Sequence, residues 1–108
     1  MNDSIKVLLV VALLLSPAVS NARGSAAAGK EKSLACQACH GADGNSASPE
    51  FPKLAGQLED YITKALTDYK SGARQNPIMA GFAATLSEQD IHDLAAYFSS
   101  QQGLRTKY

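Results

Sequence analysis

Apolar residues return at offsets of three and four over two stretches of the chain, with polar and charged residues between them. In the first, Leu58, Tyr61, Ile62, Ala65, Leu66 and Tyr69 form one stripe and Gly72 follows as a stop, which predicts an amphipathic helix over Gln57–Ser71. In the second, Ile91, Leu94, Ala95 and Phe98 share a face behind Ser87-Glu88-Gln89-Asp90, a capping box with Asp in place of the usual Glu, and Gly103 closes the helix. Upstream, an alanine-rich segment opens at Ser25 and runs through Lys30, Leu34 and Cys36 to His40, with Gly41 as its terminator, predicting one further helix. Ala42 to Gly56 and Ala73 to Pro77 are rich in polar residues, Gly and Pro and read as loops; Asn76 to Gly81, which holds Met79, reads as a loop leading into a short apolar stretch.

The N-terminus follows a different pattern. Val7 to Leu15 is an unbroken apolar run behind Lys6, and Pro17-Ala18-Val19-Ser20-Asn21-Ala22 follows it. That order is the signature of a secretory signal peptide, with cleavage after Ser20 or Ala22. A retained membrane anchor is the alternative, but spanning a bilayer takes about 20 apolar residues. The expectation is a cleaved signal over residues 1–22 and a single domain over residues 23–108, exported to the periplasm with no stable membrane insertion.

Composition narrows the fold. The chain has 108 residues, 45% of them hydrophobic, and 10 basic against 10 acidic side chains. That length suits one small domain and excludes a multidomain enzyme. Zero net charge argues against nucleic acid as a partner, because phosphate binding needs a basic surplus. From Arg23 onward there is no Val and no Trp, so strand-forming residues are scarce and a sheet is improbable. The predicted class is all-α, three to four short helices, with a core lean enough to need something more to enclose.

Cys36-Gln37-Ala38-Cys39-His40 points to what that is. The C-x-x-C-H pattern is the one by which proteins attach haem through two thioethers. At the end of a helix Cys36 and His40 are four apart and share a face, while Cys39 stands three from Cys36, so both sulfurs can reach one porphyrin edge and His40 faces the iron. Three rivals use similar spacing. A thioredoxin-like dithiol needs a βαβ sheet, for which the composition offers no strands. A zinc site would draw on Cys36, Cys39, His40 and His92, the only soft ligands present. A disulfide between Cys36 and Cys39 would close only a tiny loop, a poor staple.

A histidine-bound iron that cycles between oxidation states with little rearrangement needs a sixth ligand, and a thioether suits a high-potential carrier. Met79 is the only methionine beyond the signal segment; its alternative role is to fill a gap in the core. Iron-bound imidazoles donate their other N–H to an acceptor that fixes the ring. Pro52, in Phe51-Pro52-Lys53-Leu54-Ala55-Gly56, has a carbonyl free to accept that bond, and Leu54 could pack on the porphyrin; turn chemistry alone would also account for the stretch.

Taken in order, Cys36 to Gly44, then Pro49, Pro52 and Leu54-Ala55-Gly56-Gln57, then Gly72, Arg74 and Met79, then Leu86-Ser87 and Asp90-Ile91 through Phe98, resemble a bacterial class I c-type cytochrome. The likeness is closest to small soluble monohaem forms and to single halves of dihaem carriers. It implies a cytochrome c fold around one covalently attached haem c, thioethers at Cys36 and Cys39, axial ligands at His40 and Met79, and the Pro52 carbonyl as partner of His40. It also implies that the N-terminal helix crosses the C-terminal one, with Gly29 allowing close approach near Tyr97.

The implied function is a periplasmic one-electron carrier, not an enzyme, meeting redox donors and acceptors in transient complexes as a monomer or weak dimer. A second class stays open: a cytochrome subunit bound permanently to a redox enzyme, or a haem sensor that binds a gas. Carbon monoxide binding and size exclusion distinguish these. Lys53 and Arg74 stand either beside the haem edge or as ordinary solvated cations.

Overall fold

A computed structural model describes residues 24–105. The described residues form five helices and no strand: α1 (Ala26–Lys32), α2 (Leu34–His40), α3 (Glu59–Ser71), α4 (Pro77–Ala83) and α5 (Glu88–Ser99). The expected signal segment, residues 1–22, lies outside them. None of these helices is long and apolar enough to cross a membrane.

Two differences from the sequence expectation involve three of the five. The alanine-rich segment is not one helix, because it breaks at the fully buried Ser33. There the Ser33 hydroxyl donates to the Lys30 carbonyl (2.6 Å) and accepts from Gln37 Nε2 (2.9 Å), so a short polar side chain takes over local backbone pairing. The second difference is α4. Met79 sits on a helix, whose start is set by Asn76, its side chain accepting from the amides of Ile78 (3.0 Å) and Met79 (3.1 Å), with Pro77 in the first turn.

Helices α3 and α5 form where the periodicity places them, but α5 ends at Ser99 with Ser100 as its cap, short of the stop expected at Gly103. Ser87 and Asp90 form a reciprocal capping box, Ser87 Oγ accepting from the Asp90 amide (3.0 Å) and Asp90 Oδ2 accepting from the Ser87 amide (2.9 Å). Helix α3 ends at Gly72 in the left-handed conformation. Their inward faces meet in one cluster of Ile62, Leu94, Ala95, Tyr97 and Phe98, with Cys36, Leu54, Leu66 and Leu86 packed against it.

Helix α1 crosses α5 at Gly29, where a Cβ would stand 1.9 Å from the Asp93 carbonyl oxygen and 2.8 Å from Tyr97 Cβ. Gly29→Ala therefore has opposed effects. Ala favours the helix by about 1 kcal/mol, but forcing the helices apart costs about 1–3 kcal/mol and removes contacts besides. The clash wins, and the denaturation midpoint should fall; an unchanged or higher midpoint would contradict the crossing.

The same crossing is bound by charge. Asp93 is buried, and its carboxylate accepts from Lys32 Nζ (2.6 Å), the Ser25 amide (2.8 Å) and Gln89 Nε2 (2.8 Å), while Lys32 also reaches Asp90 (2.8 Å). Hydrogen bonding from Lys32 and the Ser87 amide lowers Asp90 to about 2. For Asp93, burial acts upward, but Lys32, the Ser25 amide and Gln89 hold it below its ordinary value. Both carboxyls are thus depressed in the folded state, so their stabilisation is present above the usual carboxylate range and is lost as pH falls through the folded values. Lys32→Met should be less stable than wild type at neutral pH, with the difference closing as pH falls from about 4 toward 2. A difference independent of pH would contradict this assignment.

Candidate cofactor site

The cavity is built by the loop after α2 as much as by the helices. Gly41 ends α2 with φ +86°, a conformation that side chains rarely adopt, and turns the chain directly behind His40. The loop is then pinned: Tyr97 Oη donates to the Ala42 carbonyl (2.9 Å), the Leu54 amide donates to Gly44 (2.8 Å), and Ser46 Oγ donates to Phe51 (2.6 Å). These bonds hold Phe51 to Leu54 over the end of α2, where His40 Nδ1 donates to the Pro52 carbonyl at 2.8 Å. A carbonyl only accepts, so Nδ1 carries a proton, and Nε2 is the ring nitrogen left uncommitted by this bond. The edge of the Phe51 ring stands against the imidazole, centroids 6.4 Å apart.

His40 borders a cavity of about 440 Å³, within the roughly 300–1,000 Å³ typical of cofactor pockets. Cys36 and Cys39 lie on its wall with Leu54 and Met79, so all these residues and Pro52 converge on one space from α2, the loop and α4. Its floor is the core itself, Leu94 and Phe98 of α5 and Ile62, Ala65 and Leu66 of α3. Burial raises the Cys36 thiol above its ordinary value, with the neighbouring Cys39 adding to the effect.

His92 is not part of this group. It lies on α5 near Glu88 (Nε2 to Oε1, 3.9 Å) and lines a different pocket with Thr63 and Lys70, so the four soft ligands of the zinc alternative are not assembled. Among the described residues no three His, Cys, Asp or Glu side chains are grouped to hold a bare ion.

Several bordering residues carry no flag in the sequence. Tyr61 and Tyr69 belong to the apolar stripe of α3, but they line the cavity instead of being sealed in the core, and Tyr61 is half exposed. Arg74, which the sequence left open between the haem edge and solvent, also lines the cavity: its guanidinium lies 4.8 Å from the Tyr69 ring centre, and Nη1 donates to Tyr61 Oη at 3.4 Å. The available signal was the eight-residue spacing of two tyrosines, whose polar tips favour a boundary over a core. Ile78 and Phe82 of α4 also reach the cavity, through a helix too short to show a period in sequence.

A largely apolar cavity, two thiols on one wall, an imidazole with its outer nitrogen already committed and a thioether on another helix fit a flat, apolar, iron-bearing macrocycle. This is the construction of a protein that carries haem covalently.

Comparison with known proteins agrees. Residues 22–102 match the family described as cytochrome c, and the chain belongs to that family. Cytochrome c4 of Pseudomonas aeruginosa is 52% identical over 97 residues, covering 87% of this chain and 48% of that protein. Cytochrome c-554(548) of Halomonas halodenitrificans is 43% identical over 82 residues, covering 73% of this chain and 99% of that protein. The crystal structure of reduced recombinant cytochrome c4 from Pseudomonas stutzeri superposes with a TM-score of 0.71 at 50% identity, over 75% of this chain and 47% of that one. The chain spans about half the length of the cytochrome c4 relatives it matches. Family membership, with both cysteines of the C-x-x-C-H run on the cavity wall, makes the cofactor one covalently bound haem c.

Proposed function

We propose that the chain is a one-electron carrier of the periplasm, tethering its haem through Cys36 and Cys39 and holding the iron between His40 and Met79. The observation that carries this reading is the single cavity lined by Cys36, Cys39, Met79 and an imidazole fixed at 2.8 Å to a carbonyl. A bound haem supplies a centre that gains or loses one electron with little change in bonding.

Each side chain has a distinct task in that arrangement. Pro52 fixes the orientation of His40 by accepting from Nδ1, which leaves Nε2 as the ring atom that faces the iron. Asn76 caps the helix that presents Met79, and the soft sulfur of that residue favours the reduced state. Ile62, Leu66, Leu94 and Phe98 exclude water, which keeps the charge change in a low-dielectric setting. Residues 1–22 act as an export signal and leave residues 23–108 as one domain. Redox proteins are its donors and acceptors, met in brief contacts.

Optically monitored potentiometric titration tests this. A single one-electron wave with a reversible visible spectral change is expected. A two-electron wave, or a spectrum indifferent to potential, would overturn it.

A further inference from the structure

Beyond the end of α5, Gln101 to Leu104 forms a strap across the loop that carries Pro52, and it is bonded to both limbs of that loop. On the limb leaving His40, Asn45 Nδ2 donates to the Gln102 carbonyl (2.8 Å). On the limb returning from Pro52, Ala55 is fully buried and both its backbone groups are engaged. Its amide donates to the Gly44 carbonyl (3.1 Å), and its carbonyl accepts from the Leu104 amide (2.7 Å). The fit is close at the level of the backbone. A Cβ on Gly103 would stand 2.5 Å from the Ala55 carbonyl oxygen and 2.8 Å from Asn45 Oδ1, and one on Gly56, at φ +75°, would stand 2.5 Å from the Leu104 carbonyl oxygen.

Asn45 joins this strap to His40. Its Nδ2 also donates to Asp43 Oδ2 (2.9 Å) and its amide to Asp43 Oδ1 (3.0 Å), so the side chain is fixed at both of its donor hydrogens. Its own carbonyl packs on Gly41, the residue directly after His40, where a Cβ would stand 2.6 Å from that oxygen. The two anchors therefore bracket the bond between His40 Nδ1 and the Pro52 carbonyl. Gly41 follows the donor, and Ala55 stands shortly after the acceptor.

We propose that Asn45 and the Gln101–Leu104 strap are positioning elements for His40, which hold the Pro52 carbonyl at its distance from Nδ1 and thereby set the potential of the bound haem. The proposal rests on the carrier reading above. An acceptor held close to Nδ1–H makes the imidazole a stronger donor to iron, which favours the oxidised state. Releasing the strap lengthens the bond, weakens that donation and favours the reduced state.

The test uses the holoprotein. In reduced wild type, hydrogen exchange followed by NMR should show the His40 Nδ1–H and the Leu104 amide opening in one step, with equal free energy and equal dependence on denaturant. Asn45→Ala and Gly103→Ala leave formal charge unchanged, and each should speed Nδ1–H exchange about ten-fold under native conditions. Each should also move the redox equilibrium about three-fold toward the reduced form, a rise of about 30 mV at about 59 mV per ten-fold for one electron. Leu104→Ala removes a side chain that is 39% exposed and keeps the amide that donates to Ala55, so it should leave both readouts in place.

A Leu104 amide that exchanges freely while Nδ1–H stays protected would overturn the proposal without recourse to a variant. So would a lower denaturation midpoint in Asn45→Ala and Gly103→Ala with potential and Nδ1–H exchange as in wild type, which would make the strap a stabilising clasp alone. Either outcome leaves the visible spectrum and one-electron wave intact. Loss of those features in wild type would instead defeat the carrier reading.

Discussion

Replacing Cys36 and Cys39 together by Ser is expected to reduce the yield of folded protein to a small fraction of wild type. The reason lies in the core. Its fully enclosed large side chains are few, Phe98 and Leu94 foremost, and much of what surrounds them is cavity wall. Without the cofactor, Leu54, Leu66, Tyr61 and Phe82 border open space, and the apolar contact that should fix α3 and α4 against α2 is missing. Filling the cavity therefore contributes folding free energy, as a metal does in a small domain with little core of its own. Two tethers maintain that filling, because a linked group rebinds at an effective concentration on the order of mM. With one tether gone the loss should be partial, and with both gone nearly complete. Far-ultraviolet circular dichroism and haem staining of exported protein measure it. A double Cys→Ser variant that accumulates and melts like wild type would contradict this account.

The second large effect is expected at Met79. Met79→Ala removes the thioether from α4 without disturbing the cap on Asn76, which accepts from backbone amides alone. The variant should fold, since Met79 is only partly buried and its helix keeps its first turn. It should lose the sulfur-to-iron absorption band, bind carbon monoxide where wild type resists it, and shift its potential downward. The shift should be on the order of 100 mV, a modest part of the roughly 0.8 V over which axial ligands tune haem iron. Unchanged absorption and potential would return Met79 to the role of a core filler.

How much of this was legible in the sequence depended on length of signal. Helices α3 and α5 run 13 and 12 residues, long enough for a 3.6-residue period to stand out, and Ser87 with Asp90 marked the start of α5. Helix α4 has seven residues, one of them Gly81, so no period could form. Its start was nevertheless written, as Asn76 followed by Pro77, the pairing of a cap with a first-turn proline. The break between α1 and α2 had no such marker, because Ser33 acts through tertiary burial and through Gln37, neither visible from local propensity. In the site, the C-x-x-C-H spacing carried its own geometry. The Pro52 carbonyl did not: turn chemistry left that stretch open, and it took the bonds from Tyr97, Leu54 and Ser46 to show why the loop lies over His40. Arg74 was seen as a cation of undecided place, and only the fold sets it on Tyr69.

The most direct measurement of the central claim is a pyridine haemochrome spectrum of exported protein after acid-acetone extraction, combined with thiol titration. The account predicts one haem per chain, of c-type spectrum, remaining with the polypeptide, and no titratable thiol at Cys36 or Cys39. Colourless protein with two reactive thiols, or haem that leaves with the solvent, would contradict it.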